Sequence, residues 1–527
     1  MSSTSPLPTH RPDLLARLAE PRRYDLAVIG GGATGLGVAL EAASRGYSVV
    51  LLESHDFAKG TSSRATKLVH GGVRYLAQGN LSLVREALHE RSALLRNAPH
   101  LAKPLAFVMP SYHCWEAPFY GLGLKLYDLL AGAAGIGKTE FLSRDETRQC
   151  LPTVQPEGLK GGVKYWDGQF DDARLALALA RTAAQQGALL VNYCPVTGFI
   201  HESGQLAGVH ARDEETGQTF EVRADCIVNA AGVWVDQLRA LDGAAIGKVV
   251  TPMVAPSQGV HLVVDRSFWP TDHALLVPKT RDGRVLFAVP WLGKVILGTT
   301  DTPRDDLARE PLAFKEEVDF ILRESARYLA RAPQAVDVRS IWVGLRPLVK
   351  TQGKERRSTK GISREHTVLV SASGLVTVTG GKWTTYRAMA EDVLQHCHDA
   401  ALLPMRGGSV TAVLPLVGAA TSQHKMSEAA GLHSYGSEAA EVQALPGHDR
   451  WLCPGLSEAM VRFAARYEYA RTVEDMLARR SRVLFLDAML AESKAGDVAE
   501  LLQAETGVDP QLDAFLALSP LYRTLPS

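Results

Sequence analysis

The 527-residue chain has no excess charge of either sign: 57 Lys and Arg stand against 57 Asp and Glu. A balance of zero gives no global basic field, which argues against nucleic acid as the main partner. The six cysteines (Cys114, Cys150, Cys194, Cys226, Cys397 and Cys453) form no CxxC pair. That argues against a disulfide scaffold or a zinc site and points to reduced, mostly buried thiols in a cytosolic compartment. No uninterrupted apolar run approaches the ~20 residues of a spanning helix. The nearest, 119–137, is broken by Lys125 and Asp128. The first 24 residues are polar, contain Asp13 and Glu20, and hold no secretory h-region. The expectation is a chain that is soluble or lies on a membrane without crossing it. A GxSxG elbow, a Walker A loop, internal repeats and low-complexity tracts are all missing.

What is present is globular material: 46% hydrophobic and 22% charged residues, enough for several domain equivalents and too apolar for disorder. Residues 1–23, with four scattered prolines, read as a flexible leader. The run Asp25–Ile29 suits a buried parallel strand. A helical pattern follows over Thr34–Arg45, with Gly46 as its terminator. Ser48–Leu52 is a second buried strand, so the chain opens as a βαβ unit. Residues 81–97 read as a helix with paired charges, Arg85, Glu86, Glu90 and Arg91. Asp171 and Asp172 place carboxylates at the positive end of a helix running to about Gln186. Residues 250–300 are strand-rich, a helix spans about Phe314–Ala330, and strands return at Val368–Ser371 and Val376–Thr379. Residues 405–450 are loop-rich, and Ser457 to Glu505 reads as a separable helical domain.

Gly30-x-Gly32-x-x-Gly35 follows the first strand and opens the first helix. Gly30 permits the tight turn, Gly32 lets the backbone approach a pyrophosphate, and Gly35 lets helix and strand pack closely. The helix N-terminus supplies N–H groups and a positive partial charge for that anion. Glu53 ends the second strand, where a carboxylate accepts ribose hydroxyls and repels a 2′-phosphate. Two later segments repeat the strand-and-turn pattern: 226–234, with Ala231 and Gly232, and 376–386, with Gly381, Lys382 and Thr384. Three separated pieces converging on one cofactor is an FAD arrangement. The helix start near Gly381, with Lys382, favours the negative charge of a reduced flavin.

These segments, with Thr61–Tyr75, Asp171–Leu175, Gly298–Asp301 and Gly344–Pro347, resemble the FAD-dependent glycerol-3-phosphate dehydrogenases. The pairing of His-Gly-Gly-x-Arg-Tyr (70–75) with Gly-Gly-Lys-x-Thr-Thr-Tyr-Arg (380–387) is specific to that resemblance. One departure is Ala65-Thr66, where the family often has serine; Thr66 keeps the hydroxyl. The resemblance implies oxidation of sn-glycerol 3-phosphate at C2 to dihydroxyacetone phosphate, with hydride passing to FAD N5 and electrons to a membrane quinone. It also implies peripheral attachment to the cytoplasmic face of the inner membrane, and a homodimer. The implied fold is α/β: a Rossmann-like, discontinuous FAD-binding domain (24–103, 165–250 and 366–400), an antiparallel-sheet substrate domain (104–164 and 251–365) and an all-helical C-terminal domain (405–527).

By the same resemblance, Arg74, Tyr75, Arg346, Arg364 and Lys382 surround substrate and flavin. The bland reading of each arginine is a structural ion pair. His261 is the candidate base, with Arg346 and Lys382 completing the catalytic set. His261 lies within an alternating strand, where an inward-packed histidine fits the pattern equally well. His70 is expected against the flavin. The polar loop Thr61, Ser62, Ser63 and Lys67, leading into Gly71 and Gly72, offers donors for phosphate or flavin edges. Asp301 has no carboxylate or histidine cluster at ligand spacing, so no metal is expected. The aromatic, apolar stretch 115–130 fits a membrane interface or buried packing. Two alternatives stand beside the quinone-linked enzyme: a glycerol-3-phosphate oxidase using O2, and a non-catalytic binding protein that keeps the FAD fold.

Overall fold

The computed structural model describes residues 5–72, 80–280, 283–350 and 366–526. The apolar run Arg23–Ile29 lies at the centre of an eight-stranded sheet, buried on both faces as a parallel strand should be. Five parallel strands stand in the order Leu375–Gly380, Thr219–Asn229, Arg23–Ile29, Val49–Leu52 and Leu189–Val191. The helix Ala33–Ser44 packs between the helices Asp172–Gln185 and Tyr386–Asp399. It ends at Gly46, whose φ of +85° is readily reached by glycine.

A second, ten-stranded sheet is antiparallel except where Ala274–Val277 runs parallel to Ala102–Ser111. Along its strand Val254–Asp265, side chains alternate by face. Val260, Leu262 and Val264 join an apolar cluster with Phe320 and Ile321 of the helix Lys315–Tyr328. His261 and Val263 face the other way. Helices from Glu458 onward form a third layer that packs on Trp291 and Trp342 of this sheet. No described helix is long and apolar enough to cross a membrane.

The structure differs from three sequence expectations. The leader is not wholly flexible: Arg11–Ala19 is a helix with Leu14, Leu15 and Leu18 buried. Its Arg11 is anchored on Asp213 and donates to the Asn192 carbonyl at 2.9 Å. Residues 165–170 belong with the second sheet, because the whole strand Gly161–Phe170 pairs with Ala102–Ser111. The charges on the helix Leu81–Asn97 do not pair along the helix: Glu90 accepts from Arg387, and Arg91 donates to Asp167 at 3.0 Å.

The C-terminal helical unit is docked on the rest of the chain through buried charge. Its π-helical turn Asp475–Arg480 presents Arg479 and Arg480 to Asp56 of the first sheet's unit, all three wholly buried. Burial alone would raise the Asp56 carboxyl. Arg480 and Arg479 overcome it and hold the group below its ordinary 3.8. This stabilisation is therefore full above the ordinary value and is lost as pH falls through the depressed one. Asp56→Ala leaves buried Arg480 without a carboxylate, while Arg479 keeps Glu474 and Asp475. It is expected to cost about 3–5 kcal/mol, read as a lower urea midpoint at unchanged slope.

Candidate active site

Four neighbouring parallel strands end side by side, and each hands over to a turn that carries a predicted cofactor residue. Gly30 follows Arg23–Ile29, Glu53 follows Val49–Leu52, Ala231 and Gly232 follow Thr219–Asn229, and Gly381 follows Leu375–Gly380. Ligands of open α/β sheets bind off these carboxyl ends. A Cβ on Gly30 would sit 2.7 Å from the Ala230 carbonyl oxygen, and one on Gly35 would sit 1.9 Å from that of Gly30. The turn therefore closes only with glycine at both positions. Gly32 caps the helix Ala33–Ser44 with no side chain of its own, and the Ser62 hydroxyl takes the first helical amide, that of Ala33; the positive end of the helix favours an anion. Glu53 accepts from the Gly31 amide at 2.6 Å and from the His55 amide at 2.9 Å, so its carboxylate is pinned at the strand end. The helix terminus, the glycine turn and the anchored acid fit the ADP half of FAD.

Beyond this crevice a cavity of about 1510 Å³ opens between the two sheets. Thr61, His70, Gly72, Gly381, Lys382 and Thr384 line it. Two segments forming its wall are laced together. The His70 amide donates to Thr384 Oγ1 at 3.2 Å, and Trp383 Nε1 donates to the Ser62 carbonyl at 2.8 Å. The Ser62 hydroxyl accepts from the Ala33 amide at 2.9 Å, tying the same loop to the glycine turn. Gly71 is hemmed in, with its amide on Tyr127 Oη at 2.8 Å.

Two loop residues do not face the cavity. Lys67 is wholly buried and donates to Asp172 Oδ2 and the Ser63 carbonyl, each at 2.7 Å. Ser63 is buried, and its hydroxyl has no hydrogen-bond partner. Neither side chain is placed to touch a cofactor, because buried Asp172 draws this part of the loop inward. The expected Arg74, Tyr75 and Arg364 lie outside the described residues.

The opposite wall is the second sheet. Val254–Asp265 pairs antiparallel with Ser340–Val349, which sets Ser257 across from Arg346, Gly259 across from Gly344 and His261 across from Trp342. Even spacing puts His261 and Arg346 on one face, with the two glycines between them. Those glycines make room: a Cβ on Gly259 would lie 2.3 Å from Arg346 Nη2, and one on Gly298, across from His261, would lie 2.8 Å from its Cδ2. Arg346 donates to the Thr300 carbonyl at 3.0 Å and pairs with Asp301 at 3.4 Å. Asp301 also accepts from Ser257. The aspartate flagged as a lone metal candidate thus orients an arginine, and among the described residues no three His, Cys, Asp or Glu cluster for a metal.

His261 is 2% exposed and stacks on Trp342 at 5.3 Å. Its Nε2 meets Thr66 Oγ1 at 2.9 Å, while Nδ1 is buried without a partner. Burial first, then the charges of Lys67 and Arg346, hold its pKa well below the ordinary 6.5. Sequence reasoning read Thr66 only as a replacement for serine. Its pairing with His261 spans 195 residues and rests on sheet register, which leaves no local signal.

Residues 25–387 match the FAD dependent oxidoreductase family, and residues 403–512 match the C-terminal domain of alpha-glycerophosphate oxidase. The mitochondrial glycerol-3-phosphate dehydrogenase of Mus musculus is 40% identical over 539 residues, covering 94% of this chain and 72% of that one. The Homo sapiens protein of the same name is 40% identical over 95% of this chain and 73% of its own length. The crystal structure of Bacillus halodurans glycerol-3-phosphate dehydrogenase complexed with FAD is 29% identical, covers 98% of both chains and superposes with a TM-score of 0.77.

The glycine turn gives a direct check of the cofactor cradle. Gly35→Ala puts a methyl group against the Gly30 carbonyl and is expected to yield folded but colourless protein. Absorbance of the purified variant in the flavin bands is the measurement, and wild-type FAD content would contradict it.

Proposed function

Because the chain belongs to the FAD-dependent glycerol-3-phosphate dehydrogenases, we propose that the cavity between its sheets oxidises sn-glycerol 3-phosphate to dihydroxyacetone phosphate and that a membrane quinone takes the electrons. FAD, when bound, supplies the hydride acceptor at N5. The observation that carries the reading is the placement of a neutral imidazole and a fixed guanidinium on one face of one sheet, His261 and Arg346, opposite Lys382.

Arg346 and Lys382 suit the substrate's phosphate, since charge-assisted hydrogen bonds contribute about 1.5–3 kcal/mol each. Asp301 and the Thr300 carbonyl hold the Arg346 fork in place before substrate arrives. His261 suits the role of base. Loss of hydride from C2 requires loss of the hydroxyl proton, and a neutral imidazole accepts it near neutral pH. Nε2, facing Thr66 at the cavity wall, is the accepting atom.

The cavity's mouth supports the quinone over O2 as the acceptor. The helix Glu116–Ala131 buries Leu124 and Tyr127 inward and presents Phe119, Leu122, Leu126 and Leu129 outward, with Leu122 73% and Leu129 76% exposed. The four outward residues recur at helical spacing on one face, and all line the mouth. An exposed apolar face of this kind suits the headgroup–acyl boundary of a membrane, which is also where an apolar quinone resides. A small gas needs no such entrance. Peripheral attachment at the cytoplasmic face of an inner membrane and a homodimer belong to the same reading, on the family resemblance.

Two measurements test it. His261→Gln is expected to retain FAD while slowing flavin reduction by glycerol 3-phosphate by about 100- to 10,000-fold. The wild-type rate should hold as pH falls through 6.5 and drop only below it, because the imidazole is held neutral there. A near-wild-type rate in the variant would remove the base assignment. Separately, Phe119→Ser with Leu122→Ser should release the protein from sedimenting membranes without slowing flavin reduction by substrate. Unchanged pelleting would count against the docking face.

A further inference from the structure

The Asp171-Asp172-Ala-Arg-Leu segment has a second role beyond starting its helix. Asp171 caps the helix, accepting from the Arg174 amide at 3.3 Å. Asp172, wholly buried, instead gathers partners from distant parts of the chain. Its Oδ2 accepts from Lys67 Nζ at 2.7 Å and from the Ala65 amide at 3.0 Å. Its Oδ1 accepts from Arg482 Nη2 at 3.1 Å. Arg482 comes from the C-terminal helical unit and also donates to the Ser63 carbonyl at 2.8 Å, the carbonyl that Lys67 holds. Thus Arg482 and Lys67 clamp the same two acceptors from opposite sides, and Thr66, the partner of His261 Nε2, lies between Ala65 and Lys67 in that clamped loop.

The clamp is rigidly built. Both Lys67 and Arg482 adopt left-handed backbone, with φ of +65° and +66°, a conformation sparsely populated by residues other than glycine. Arg482 lies 4.3 Å over the Phe485 ring and 5.4 Å from Trp291. Phe485 packs on Trp342, the ring that carries His261.

We propose that Arg482 is a positioning residue for the Thr66–His261 pair, acting through Asp172 and the Ser63 carbonyl, so that the C-terminal unit completes the active site from behind. This rests on the reading of His261 as the base. The charged groups around that imidazole are Lys67 from the loop and Arg346 from the neighbouring strand. Asp172 and Asp301 neutralise them in turn. The adjoining strand Lys294–Gly298 offers Gly298 there, and Ser340–Val349 offers the neutral Trp342.

The test uses flavin-loaded R482M, R482K, H261Q and R482M/H261Q. Three quantities are read: the limiting rate of flavin reduction by glycerol 3-phosphate across the acid limb, FAD content, and the His261 signal in NMR of isotope-labelled histidine. R482M is expected to keep FAD and lose about 10- to 100-fold in rate, the penalty of a displaced catalytic group. It should also shift the acid limb and move the His261 signal. R482K, with one ammonium for two acceptors, should fall between R482M and wild type. On the H261Q background, R482M should cost less than about twofold more, because coupled residues are not additive. A full additional loss on that background, or R482K and R482M matching wild type in rate, pH profile and His261 signal, would overturn the proposal. Should R482M fail to hold FAD, R482K carries the same comparison. If glycerol 3-phosphate fails to bleach the wild-type flavin, the substrate reading falls. The His261 signal judges the clamp in that case too.

Discussion

The arrangement of this molecule depends on how it buries charge. Asp56, Asp172 and Glu468 are almost wholly withdrawn from water, and a buried carboxylate without a partner is far too costly to persist. Each is matched by arginine from a distant segment: Asp56 by Arg479 and Arg480, Asp172 by Arg482, and Glu468 by Arg174. These contacts run between the first sheet's unit and the C-terminal helices. Hydrophobic packing alone is non-directional and would let the helices slide on the sheets. Paired charges admit one seating. Lys67 shows the strength of the constraint. Burial, then the charge of Arg482, pulls its pKa down to about 7 against the opposing pull of Asp172.

Within that seating His261 and Arg346 are placed by absence of side chains as much as by their presence. Gly259, Gly298 and Gly344 occupy adjoining positions on three neighbouring strands. Any Cβ there would collide with Arg346, His261 or the Arg64 carbonyl. A sheet normally fills its face with interlocking side chains. Here three glycines leave a hollow, and a polar pair projects into it.

Legibility in the sequence followed the range of the interactions. The βαβ opening, the glycine turn and Glu53 were readable because strand, turn and helix cues lie within one local stretch. The strand ends at Ala231 and Gly381 were readable because each repeats that local signature. Lys67 was misplaced for the opposite reason. Its loop reads as polar and open, but Asp172, 105 residues away, and Arg482 turn it inward. The helix Leu81–Asn97 carried charges at tempting spacing, and long-range partners claimed Glu90 and Arg91 instead. Arg11 shows the same effect at the leader, where a short amphipathic helix is held by Asp213 rather than by its own sequence neighbours. Local pattern yields elements, whereas buried charge chooses its partner across the fold.

The cavity joins two environments that seldom share a wall. Arg346, Lys382 and His261 line it, and so does the apolar face of the helix Glu116–Ala131, beside Lys125, Lys279 and Arg284. On the proposed reading, the cations suit a phosphate and the apolar face suits an apolar electron acceptor. Lys125 and Asp128 interrupt the apolar stretch without spoiling this. Lys125 lies 5.0 Å over the Phe141 ring, and Asp128 accepts from the Thr139 amide at 2.6 Å. Both charges are thus engaged with the segment 139–141 beside the helix. The interruption that excludes a spanning helix thus leaves this helix with one apolar face outward.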